Sequence, residues 1–117
     1  MLPDNGKGLS PLEALVIERL GGKTTIVESL VTVGTTRGIM LVNNPNRIFW
    51  AMINEGTSSV RVSNDPDIGS TSGWLLSSNG GVIMMIYDED GEAVGQQVFG
   101  IASIAGQVVR VRETVRL

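Results

Sequence analysis

NNPNRIFWAMINEG, residues 43–56, decides how this chain folds. It opens on a turn, Asn43-Asn44-Pro45-Asn46, and then runs into almost uninterrupted apolar surface up to Ile53. Two large aromatics, Phe49 and Trp50, stand side by side in that run. In a strand, neighbouring side chains point to opposite faces. One aromatic therefore enters the core, and the other needs a second cover.

The stretch VIMMIY, residues 82–87, repeats the pattern with Met84 and Met85 adjacent. A lone two-layer sandwich keeps one face of each strand polar. Two doubly apolar strands predict a further covering layer, either the chain's own N-terminal helix or neighbouring subunits. A helix of about ten residues covers only a few side chains. Part of this surface is therefore expected in a subunit interface, filled by Phe49 or Trp50 and by Met84 or Met85.

The rest of the chain reads as strands and turns. Residues 24–33, 38–42, 47–54 and 59–63 are rich in β-branched and apolar types, and turn residues bound them. Residues 73–77 and 81–89 follow as further strands. Asp90-Gly91 reads as a hairpin tip, and residues 93–104 and 107–116 as a last pair joined at Ala105-Gly106. The expected fold is all-β, an antiparallel β-sandwich or β-barrel of seven to eight strands with a short N-terminal helix. Residues 1–22 form an arm and amphipathic helix, and residues 23–117 a single β domain. Ser10-Pro11-Leu12-Glu13 is a capping box with proline in the first helical position, and Gly21-Gly22 ends the helix. Leu12, Leu15, Val16 and Leu20 share its apolar face.

Composition narrows the function classes. The 117 residues suit one domain, with 42% hydrophobic and 18% charged residues and a net charge of −3. No global basic field draws nucleic acid. There is no cysteine and no histidine, so disulfides, thiolate chemistry, the common transition-metal ligand sets and the usual neutral-pH base are excluded. No apolar run is long enough to span a membrane, and the first residues lack a signal-peptide pattern. A soluble protein made in a cytoplasm is expected.

Several short motifs invite chemical readings. Gly22-Lys23-Thr24 matches the end of a phosphate loop, but Ile17 stands where that loop needs its first glycine, and a helix precedes where a strand should. Asp88-Glu89-Asp90-Gly91-Glu92 is acidic enough for a hard cation, yet lacks the later glutamate of a calcium loop and reads as a solvated turn. The carboxylates Asp65, Asp67, Glu89 and Glu92 sit in turns, and nothing selects two of them as an acid–base pair. Trp50, Trp74 and Tyr87 could form a platform for sugar rings. In QVVRVRETVRL, residues 107–117, Arg110, Arg112 and Arg116 share one strand face and could grip an acidic partner or simply solvate the sheet.

Asn44-Pro45-Asn46-Arg47, the apolar run to Ile53-Asn54, Gly56 and Val60-Arg61-Val62-Ser63 resemble a hairpin found in small virion proteins of tailed bacteriophages. Gly73-Trp74-Leu75-Leu76 is similar to the strand that follows the Gly-Ser loop of those proteins, while Ser77-Ser78-Asn79-Gly80-Gly81 departs from their usual proline-glycine turn. The resemblance implies a β-sandwich head protein without catalysis, cofactor or metal, assembled as a trimer or another ring. It implies a capsid decoration or cementing protein in a virion, made in the host cytoplasm, with the major capsid protein or other virion proteins as partners. Phe49 or Trp50 and Met84 or Met85 would fill the subunit interface, Leu12, Leu15 and Val16 would dock on a neighbour or on the body, and Arg110, Arg112 and Arg116 would meet acidic capsid surface. A phage neck or tail protein and a carbohydrate-binding attachment module are the alternatives.

Overall fold

The computed structural model describes residues 23–117. The expected arm and N-terminal helix, with Leu12, Leu15 and Val16, lie outside the described residues. Eight antiparallel strands form two four-stranded sheets, as an all-β sandwich requires. Sheet A has the order β1 (Thr24–Val33), β8 (Gln107–Arg116), β3 (Arg47–Asn54), β6 (Val82–Ile86). Sheet B has the order β2 (Gly38–Leu41), β7 (Val98–Ala102), β4 (Val60–Ser63), β5 (Trp74–Leu76).

The core lies between the sheets. Trp50 and Met52 of β3, Met85 of β6 and Val109 and Val111 of β8 face Val60, Val62, Leu76 and Val98 of the opposite sheet in one buried cluster. Strand β3 is an inner strand of sheet A, with β8 on one side and β6 on the other. It pairs with β8 from Arg47 to Asn54 and with β6 from Phe49 to Ile53.

Two local expectations are corrected. Residues 87–89, expected to end a strand over residues 81–89, form a short helix α1 together with Asp90 (Tyr87–Asp90), and Gly91–Gly95 continue as a 3-10 turn. Three consecutive acids, Asp88, Glu89 and Asp90, occupy the first helical turn, where exposed N–H groups favour negative charge. The Asp90 carboxylate also accepts a 2.9 Å hydrogen bond from the Ile86 amide at the N-cap. Gly91 then takes φ +60, a left-handed conformation that ends α1. Asp90-Gly91 is therefore not a hairpin tip, and β6 and β7 belong to different sheets.

The last two strands are not a pair either. β7 lies between β2 and β4, while β8 lies between β1 and β3. The chain crosses from one sheet to the other through Ala105-Gly106, with Gly106 at φ +82.

Candidate assembly interface

Two polar residues of the β3 stretch, Arg47 and Asn54, are internal braces. A register shift between Arg47 and Phe49 against β8 turns Arg47 toward the interior. Its guanidinium is buried, and each of its three nitrogens donates. Nε donates to Glu113 Oε2 at 2.7 Å, Nη2 to the Val42 carbonyl at 2.7 Å, and Nη1 to the carbonyls of Val94 and Gln96 at 3.3 and 3.2 Å. One side chain thus ties β3, β8, the 3-10 turn and the segment after β2.

Asn54 plays the same part at the other end of β3. Its Nδ2 donates to the carbonyls of Ser58 and Leu76 at 2.9 and 3.0 Å, and its Oδ1 accepts the Gly56 amide at 2.8 Å. Gln107 Oε1 accepts the Ser58 amide at 2.9 Å. Gly56 fits beneath these two side chains, where an added Cβ would collide with Gln107. The Asn54-Glu55-Gly56 signature is explained by this packing.

Strand parity then sorts the candidate interface residues. Trp50 is 0% exposed and Met85 is also buried, so neither can meet a partner. Phe49 and Met84 point the opposite way, to the outer face of sheet A, together with Ala51, Ile53, Val82 and Ile86. Met84 is 58% exposed. Trp50 Nε1 has no hydrogen-bond partner among the described residues, so the apolar area of the ring outweighs its polar handle.

The arginines are also divided. Arg110 and Arg112 line a shallow concavity of about 400 Å³ on this outer face, floored by Phe49, Ala51 and Ile53 and bounded by Ile26 and Glu28 of β1. Arg110 holds Glu55 through two contacts of 3.3 Å. Arg112 is exposed, with no ion pair among the described residues, and stands opposite Glu28 in register. Arg116 lines a different groove of about 440 Å³ at the start of β3, beside Arg47, Tyr87 and Glu92. By strand register Arg116 keeps the parity of Arg110 and Arg112, but it lines a groove separate from theirs.

The readings weighed against assembly are placed as follows. Trp50 lies in the core, Trp74 is on edge strand β5 and Tyr87 is in α1, so the three do not share a sugar platform. No group of three or more acidic, histidine or cysteine side chains suited to a metal ion occurs among the described residues. No helix among them is long and apolar enough to cross a membrane.

Sequence reasoning left open which face of β3 turns inward. Asn54 is polar and shares a face with Trp50 and Met52 by alternation, and Arg47 joins that face only through the register shift, so a simple rule would turn this face to water. Instead they share the interior with Trp50 and Met52, leaving Phe49, Ala51 and Ile53 outside.

No family model matches the sequence. No curated protein matches it either. Among solved structures, the chain is similar to one from work on Bacillus endospore appendages, described there as a novel family of disulfide-linked pili. That similarity has 14% identity and a TM-score of 0.44, over 82% of this chain and 92% of the other.

Proposed function

We propose that the chain is a non-enzymatic virion structural protein, a capsid decoration or cementing subunit that works as a homo-oligomer. The observation that carries this reading is the outer face of sheet A. Ile26 and Leu30 of β1, Ile53 of β3 and Val82, Met84 and Ile86 of β6 are all exposed there. Isolated surface apolar residues are ordinary, but a contiguous set across a sheet marks a contact surface. Among the described residues, the core cluster is built from the opposite residues of the same strands, and this face takes no part in it.

Arg110 and Arg112 give the face direction. An apolar surface alone binds without fixed orientation, whereas planar guanidinium groups seek carboxylates at a defined angle. Phe49 and Met84 supply the buried area, and Arg112 supplies a charge for an acidic patch on the shell. Subunits seated across joints between capsomers would add buried area there and oppose pressure from the packed genome.

Light scattering on purified protein from about 1 to about 100 µM tests the first step. A closed oligomer is expected, the trimer that the virion resemblance favours or another closed assembly, a two-fold dimer included. Mass spectrometry of purified virus particles tests the second, and should find the chain as a stoichiometric component. A protein that stays monomeric throughout and is absent from particles would overturn the reading.

A further inference from the structure

The four sheet edges are not alike. β5 offers three residues and β6 five, while β2 has four and is interrupted by a bulge between Ile39 and Leu41. Short strands and bulges discourage unwanted pairing. β1 has ten residues, an unbroken register to β8, no proline and one charge, Glu28. Among the described residues, nothing pairs with its other side.

The side chains of β1 are open as well. On the outer face Ile26 is 57% and Leu30 58% exposed, and on the inner face Val27 is 45% exposed. Inner positions are normally covered by the opposite sheet, yet on β1 full burial begins only at Val33. Residues 24–30 thus combine an unpaired backbone edge with apolar side chains on both faces. That combination is a template for another strand.

We propose that β1 pairs antiparallel with β1 of a second copy across a two-fold axis at Val27, joining two four-stranded sheets into one continuous sheet. The proposal rests on the assembly reading above, but it concerns an edge and not the outer face. The register follows from symmetry and charge. A two-fold axis perpendicular to the sheet keeps like faces together, so it must pass through a pair of equivalent residues. An axis at Glu28 would set two carboxylates directly opposite, which is unfavourable. An axis at Val27 pairs residues 24–30 with the same stretch of the second copy, the stretch that is open in the monomer. It sets Val27 against Val27, Ile26 against Glu28, Thr25 against Ser29 and Thr24 against Leu30, with no like charges opposed. The contact is closed, because each copy has one such edge and uses it once.

Cysteine scanning tests this directly, since the native chain has no cysteine. Directly opposed Cα atoms of antiparallel strands lie about 4.5–5.5 Å apart, within disulfide reach. Oxidised Val27→Cys protein should run mainly as a covalent dimer. Leu75→Cys, an exposed position on edge strand β5 of the other sheet and away from the outer face of sheet A, should not. Val27→Lys should retain the wild-type circular dichroism spectrum and melting temperature while weakening dimerisation about tenfold or more. Equal cross-linking of Val27→Cys and Leu75→Cys would overturn the edge pairing. An oligomer unchanged by Val27→Lys would overturn it too, while leaving the assembly reading of the outer face standing.

Discussion

Arg47 and Glu113 are 66 residues apart in sequence and meet at 2.7 Å between Nε and Oε2. The arginine side chain is 1% exposed and the glutamate 15%. A buried charge without its partner is costly, and the three carbonyls around the guanidinium do not neutralise it. Glu113→Ala should therefore destabilise the fold by about 3–5 kcal/mol, read from urea denaturation midpoints. A cost below about 1 kcal/mol would show that the carbonyls alone suffice.

Asn54 gives a sharper test because a nearly isosteric change reverses its chemistry. Its amide donates to two carbonyls. Asn54→Asp replaces that donor with an acceptor aimed at two acceptors, and adds a buried charge. It should cost more than Asn54→Ala, which itself orphans two carbonyls and the Gly56 amide at about 1–3 kcal/mol for each group left without water or another partner. The reverse order in a denaturation series would contradict the observed orientation of the side chain.

The outer face predicts a separation of folding from association. Met84 is exposed and outside the core. Met84→Glu should change monomer stability by no more than about 0.5 kcal/mol, yet shift light-scattering mass towards monomer. Met85→Glu, one residue on, should instead unfold the protein, because it drives a charge into the core cluster.

Fluorescence distinguishes the two tryptophans. Trp50 is 0% exposed and Trp74 42% exposed. Trp74→Phe should leave a blue-shifted emission that resists acrylamide quenching. Oligosaccharides should not alter quenching of the wild-type protein. Protection of Trp74 by a sugar would support an attachment module and weigh against decoration.

Much of the strand content was legible in the sequence. Runs such as TTIVESLVTV and RIFWAMIN carry β-branched and aromatic types between turn formers, and both became strands over residues 24–33 and 47–54. The acidic run after β6 misled, because helix formation at Tyr87–Asp90 depends on charges meeting free amides in one turn, a pattern that also suits a solvated loop. Of the candidate site, the doubly apolar strands were visible. Which residue of each pair faces outward was not.

By itself, the sequence determined that this protein is β-rich and that β3 and β6 present apolar side chains on both faces, since alternation is a local property of a strand. It also excluded cysteine and histidine chemistry outright. Only the tertiary structure decided that Trp50 and Met85 are inside and Phe49 and Met84 outside. Both members of each pair are apolar, so local hydrophobicity cannot choose between them. The choice is made at a distance, where Arg47 finds Glu113 and Asn54 finds Leu76, and a polar side chain with its partners in place can share the interior with tryptophan.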